Sequence, residues 1–150
     1  MKAVALRARR PERDTARAMS QENVEVVRRE YAAFATRDWE ALAELCHPDL
    51  EYETYGPPGR LRGLREMTAY FDEYANVYGE FRVEAEEIVE VGDQVVAVER
   101  QDARGLKGSE AEGKVGFTFA CLISFKDGRI SRVKEYATRA QALAAAGLRE

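Results

Sequence analysis

The second half of the chain constrains the fold most. Four extended segments, about 81–91, 94–104, 114–126 and 129–137, follow one another, with the turn dipeptides Gly92-Asp93 and Asp127-Gly128 at two of the joints. Asp-Gly between alternating apolar residues is a strong hairpin signal. Consecutive strands joined in this way build an antiparallel sheet, and such a sheet must cover at least one face with something apolar. In the third of these segments Phe117, Phe119, Cys121, Ile123 and Phe125 share one face, and Thr118, Ala120, Leu122 and Ser124 share the other. The bulkier face is the one expected to look inward.

The first half supplies the cover. Val24, Val27, Tyr31 and Phe34 recur at helical spacing and predict a helix over about 20–36, with Ser20 as its N-cap. Asp38 caps a second, short helix carrying Trp39, Leu42 and Leu45, which Pro48 is expected to end by disfavouring helical geometry at His47. Leu50, Tyr52 and Thr54 then alternate with Glu51, Glu53 and Tyr55, a strand that the run GPPG at 56–59 terminates. A third helix, about 63–78, presents Leu64, Met67, Phe71, Tyr74 and Tyr78 along one side and is closed by Gly79. The end, RAQALAAAGL, reads as a short terminal helix stopped at Gly147. The expectation is an α+β domain, three helices on one face of a long antiparallel sheet, with no internal repeat.

Composition narrows the function classes. With 150 residues, 45% hydrophobic, the chain can bury one core. No apolar run reaches the roughly 18 residues of a membrane span, and the opening MKAVALRARRPERDTARA lacks the apolar centre of a secretory signal. A soluble, cytoplasmic protein is expected, with no membrane partner. Cys46 and Cys121 lie far apart and predict free thiols. One histidine, His47, builds no His-based site, and the acidic residues have no calcium-loop spacing, so no metal is expected. Lys2, Arg7, Arg9, Arg10, Arg13 and Arg17 against Glu12 and Asp14 give residues 1–18 a net +4, which leaves −8 over the remainder of a chain of net −4. That balance repels nucleic acid over the folded part. Residues 1–18 are expected to be a disordered, dispensable basic extension, and 19–150 the domain.

Several stretches taken in order, YAAFATRDWEALAELCHPDLEYETYG, RLRGLREM, VEAEEIVEVGDQVVAV and FTFACLISFKDGRISRVKEYATRAQALAAAGL, resemble the SnoaL-like proteins of the NTF2-like superfamily, relatives of ketosteroid isomerase. The resemblance covers about residues 20–148, and its closing strand with the tail YATRAQALAAAGL is the most specific part. It implies a conical cavity between three helices and a strongly curved sheet, and a homodimer through the outer sheet face. The apolar character of Ala120 and Leu122 on that face points the same way. Family members include isomerases, dehydratases, epoxide hydrolases and polyketide cyclases, as well as pocket proteins without a reaction.

Candidate site residues follow from strand parity. The face of Leu50 and Tyr52 should turn Thr54 inward, close to where ketosteroid isomerases carry their general-base aspartate; a threonine hydroxyl cannot act as that base. Cys121 stands near the position of their second acid, where many SnoaL-like relatives have histidine. With no base beside it in the motif, Cys121 is expected to be an inert wall group. Glu135, on the side of Val133, and Asp102 and Arg100, on the side of Val96 and Val98, are the charged groups that could reach the cavity. Glu135 and Asp102 are the candidate catalytic acids. Tyr31, Phe34, Tyr52, Thr54, Tyr74, Arg100, Phe117, Phe119, Cys121 and Val133 are the expected pocket residues. Trp39 should anchor the second helix, and His47 has a structural or exposed place. The leading expectation is a pocket protein for a small, largely apolar or aromatic metabolite, with no cofactor. The alternatives are an isomerase, cyclase or dehydratase working through an inward carboxylate and a tyrosine, and a non-catalytic dimerisation module.

Overall fold

The computed structural model describes residues 11–106 and 114–148. Four helices and six strands follow in the order α1 (Pro11–Thr36), α2 (Trp39–Leu45), β1 (Cys46–Glu53), β2 (Leu61–Arg62), α3 (Gly63–Val77), β3 (Tyr78–Val91), β4 (Gln94–Leu106), β5 (Lys114–Lys126), β6 (Arg129–Tyr136) and α4 (Arg139–Ala145). The strands form one curved sheet in the order β2-β1-β6-β5-β4-β3. Register shifts interrupt the ladders at Ala85/Glu87 and Ser124/Phe125, and such bulges bend and twist a sheet.

Four details differ from the sequence expectation. First, α1 begins at Pro11, so residues 11–18 are its first turns, and residues 1–10 lie outside the described residues. Ser20 is therefore inside a helix, where its hydroxyl donates to Glu90 Oε2 at 2.7 Å instead of capping. Second, α2 is capped by Asp38 as expected, its carboxylate accepting from Ala41 N at 3.0 Å, but it ends at Leu45. Cys46 is already extended and opens β1, so the change to strand precedes Pro48. Likewise α3 stops at Val77, and Tyr78 rather than Gly79 begins the next strand. Third, the sheet is not wholly antiparallel: β1 and β6 pair in parallel, with Tyr52 opposite Val133. Fourth, the terminal helix expected from RAQALAAAGL is present as α4, but it packs on the sheet as a fourth helix, with Ala142 and Leu143 buried against Val96 and Ala120.

The sheet therefore has two covered faces of unequal weight. Its concave face carries the main core, where Val27, Tyr31, Leu42, Met67 and Phe71 of the helices meet Leu50, Tyr52, Val95, Ala97, Phe119, Cys121, Ile123 and Val133 of the strands. The opposite face carries the small cluster under α4, which half-covers Leu122 and Tyr136. The apolar outer face that suggested a second copy is thus partly covered by the chain itself. Trp39 joins the helices, packing edge-on against Phe34 and donating from Nε1 to Asp72 Oδ1 at 2.9 Å. Among the described residues no helix is long and apolar enough to cross a membrane.

Candidate functional site

A cavity of about 290 Å³ opens between α3, the loop after β1 and the concave face of β4–β6. Its wall is mostly aromatic: Tyr70, Phe71 and Tyr74 from α3, and Phe117 and Phe119 from β5. Tyr55 and Pro57 bring the loop to its mouth. That loop is folded on the Thr54 hydroxyl, which donates to Gly56 O and accepts from Gly59 N, both at 2.8 Å. Gly56 and Gly59 take φ of 94° and 89°, a backbone that side chains with a Cβ rarely adopt. Thr54 is consequently a loop-forming residue just past the end of β1 and not one of the residues lining this cavity, contrary to expectation.

Glu135 of β6 lies on the cavity wall. Its Oε2 accepts from the Tyr52 hydroxyl at 3.0 Å and its Oε1 from Tyr55 N at 2.8 Å. Burial pushes this carboxyl above the usual carboxylate range, against the opposing pull of those two donors. Desolvation and the Glu135 charge push the Tyr52 phenol far above its ordinary value, so it stays a donor. Tyr70 and Tyr74 are pushed up too, chiefly by burial. The cavity therefore pairs one basic carboxylate with phenols that keep their protons.

Deeper in the wall lies a polar cluster with no counterpart in the sequence reading. Glu99 and Gln101 of β4 are 4% and 6% exposed. Glu99 Oε1 accepts from the Tyr31 hydroxyl at 2.8 Å, and Glu99 Oε2 accepts from Gln101 Nε2 at 2.7 Å. Gln101 itself lines the cavity. Desolvation drives Glu99 up to about 7 despite those hydrogen bonds. Glu30 of α1, 4% exposed, is driven up to about 8 by desolvation and then by the charge of Glu99.

The expected site residues divide into three groups. Tyr74, Phe117, Phe119 and Glu135 come together on the cavity wall. Tyr31, Phe34, Tyr52, Cys121 and Val133 pack in or against the concave core rather than lining this cavity, Tyr31 connecting to it through Glu99 and Gln101 and Tyr52 through Glu135. Arg100 and Asp102 are corrected outright. They lie on the other parity of β4 from the buried Glu99 and Gln101 and pair with each other at 3.0 Å, with 42% and 44% of their side chains exposed. Gly116, opposite Asp102, leaves room for that pair: a Cβ there would stand 2.9 Å from atoms of both side chains. Cys121 is a buried free thiol, raised far above its ordinary value by burial and by Glu99, Glu135 and Glu30, and so a poor nucleophile. His47 is half-buried, its Nδ1 accepting from Asp49 N at 3.1 Å. Among the described residues, no group of three or more His, Cys, Asp or Glu side chains is arranged to hold a metal ion.

Glu99 and Gln101 were hidden by the run Val95–Val98, which is apolar on both faces and so leaves the parity of β4 undecided. The discriminating signal is cross-strand register. Gln101 stands opposite Phe117 and Glu99 opposite Phe119, on the face already read as inward.

Comparison with known proteins agrees with this architecture. No curated protein matches the chain. Among solved structures, Bal32a from a soil-derived mobile gene cassette superposes with a TM-score of 0.70 at 26% identity, covering 79% of this chain and 90% of its own. TerC, co-crystallized with polyporic acid, gives 0.66 at 23% identity over 84% of this chain and 98% of its own. An LEH-like epoxide hydrolase from M. tuberculosis gives 0.61 at 23% identity over 77% and 82%. These likenesses concern the fold. The sequence pattern of the SnoaL-like domain matches residues 27–133, from α1 into β6, and the chain belongs to that family.

Proposed function

We propose that the cavity binds a small, largely apolar or aromatic molecule and that Glu135 moves a proton on it without a cofactor. The observation that carries this reading is a carboxylate on an otherwise aromatic wall, with a raised pKa and a tyrosine hydroxyl on one oxygen. At about 290 Å³ the space is at the lower end for small-molecule sites, room for about one or two rings. Desolvation makes Glu135 a stronger base than a carboxylate in water, and it brings its pKa closer to working pH. The donors Tyr52 and Tyr55 N fix the carboxylate while leaving each oxygen a lone pair toward the ligand. Tyr70, still protonated, can donate to charge that develops on the ligand as its proton leaves, while Tyr74, hydrogen-bonded to Tyr78, lines the wall beside it.

A generic probe tests this without knowledge of the natural ligand. 5-Nitrobenzisoxazole is a flat aromatic molecule whose carbon-bound proton is taken by a base as its N–O bond breaks, releasing a coloured nitrophenolate. Turnover should rise with pH through the Glu135 titration, because the ionised form is the base. Glu135→Gln should lose about 10²–10⁴-fold in rate with an unchanged melting temperature. A Glu135→Gln protein as fast as the parent would sink the catalytic role. If the parent binds the probe without turning it over, the binding half of the proposal alone survives.

A further inference from the structure

Gln101 presents a mismatch between its chemistry and its neighbours. Its Nε2 is committed to Glu99 Oε2 at 2.7 Å, while its Oε1 is the buried side-chain oxygen or nitrogen left without a partner among the described residues. A buried amide oxygen with no donor carries a desolvation penalty that a water or ligand group can relieve. Gln101 is one of the residues lining the cavity, so its amide oxygen, closed off from water, gains a donor if it turns toward a molecule held there.

Which end of the amide faces the cavity depends on Glu99. An ionised carboxylate only accepts, so with Tyr31 donating to Oε1 it requires the NH2 end of Gln101 at Oε2. A proton on Oε2 reverses the requirement: Glu99 then donates, the amide oxygen must turn to receive it, and the NH2 end faces the cavity. We propose that Gln101 is a switchable hydrogen-bond subsite, accepting from a hydroxyl or N–H of the ligand while Glu99 is ionised and donating to a ligand oxygen once Glu99 is protonated. This rests on the reading of the cavity as a site for a small aromatic molecule, and it adds that the ligand carries a hydroxyl or N–H opposite Gln101 when Glu99 is charged.

The groups around Glu99 place the switch near neutrality. From α1 it is faced by Tyr31 and Glu30, from β1 by Tyr52, from β5 by Cys121, whose Sγ lies 3.9 Å from Oε1, and from β6 by Glu135; Gln101 shares its strand. No cation is among them, and desolvation outweighs the three hydrogen bonds that favour the charged form, leaving the titration at about 7. Arg100, the nearest basic residue in sequence, is engaged with Asp102 on the opposite parity of the strand.

The experiment uses p-cresol, 4-methylanisole and toluene, which differ in having a donor, only an acceptor, or neither. Their dissociation constants are measured by NMR titration of the whole chain at pH 5.5 and 8.5. At pH 8.5 p-cresol should bind about tenfold or more tightly than 4-methylanisole, and at pH 5.5 that ratio should fall several-fold as 4-methylanisole gains affinity. Gln101→Met should remove both the preference and its pH dependence while toluene still binds. Glu99→Gln should remove the pH dependence. A preference kept in Gln101→Met would overturn the subsite. So would equal binding of p-cresol and 4-methylanisole at pH 8.5. Failure of all three probes to bind would instead remove the aromatic cavity reading on which the subsite rests.

Discussion

Two pairs of neighbouring residues on β4 have opposite fates. Glu99 and Gln101 are almost wholly buried, hydrogen-bonded to each other and to Tyr31, and Glu99 titrates at about 7. Arg100 and Asp102 satisfy each other on the other side of the strand, with about four-tenths of each side chain in water. The chemical types are similar and the spacing is the same. What differs is which side of the strand each pair occupies, and a strand's period of two makes that choice absolute. An ion pair exposed to this extent adds little, whereas a carboxylate without water has its acid–base behaviour rewritten.

The contrast can be broken in several places. The largest effect should come from the cluster that covers the outer face, since Leu143 of α4 is almost fully buried against the sheet. Leu143→Ala should lose about 2–5 kcal/mol in a urea titration, and it should spare toluene binding if the two faces are independent. Next, Glu30 binds its proton up to about 8 in the native state against 4.5 for the ordinary value. The folded chain therefore holds more protons than the unfolded chain between those values, and its stability is full below 4.5 and falls as pH rises through 8. Glu99, at about 7, adds to the same slope over a narrower window. Glu30→Gln should flatten the decline and raise stability at pH 9 by about 1–2 kcal/mol; an unchanged slope would mean that Glu30 is not the desolvated group described here.

Tyr31→Phe removes the donor from Glu99 Oε1 and should cost about 1 kcal/mol. It should also move the Glu99 titration further up, visible in the carboxyl carbon shift, because the lost bond favours the charged form. The smallest effect belongs to the exposed pair. Asp102→Ala should leave the melting temperature within about 1–2 °C and the probe turnover unchanged. A catalytic loss there would restore Asp102 to the site and undo the distinction between the two faces.

How much of this was legible beforehand depended on how local the signal is. Helix caps and tight turns are written in adjacent residues, and so Asp38, Asp127-Gly128 and the boundaries of β5 could be read directly. The inward face of β5 was readable because its phenylalanines sit on one parity, and Glu135 followed from Val133 in the same way. The inward face of β4 was not. Val95 to Val98 are buried on both sides, and in the sequence the segments 94–104 and 114–126 are separated by too many residues for a turn type to fix their register. Taking the wrong parity there put Arg100 and Asp102 inside and missed Glu99 and Gln101. Thr54 failed for a different reason, the strand ending one residue early and releasing its hydroxyl to shape the loop. Glu30 was lost beside Tyr31 on α1, where a charge next to an apolar stripe ordinarily points to solvent.

The parallel pairing of β1 with β6 also bears on the order in which the protein becomes competent. Parallel neighbours cannot be joined by a tight turn, and here nearly the whole sheet intervenes: the bond from Tyr52 to Glu135 spans 83 residues. Glu135 and the phenol that hydrogen-bonds to it therefore meet only when the last strand docks, a late event by the cost of closing so long a loop. A chain emerging from the ribosome would expose the aromatic wall of α3 before any residue able to bind a ligand's polar end is in place. A ligand that needs both can recognise the finished protein alone, and its presence would act as a stabiliser of completed molecules over partly assembled ones.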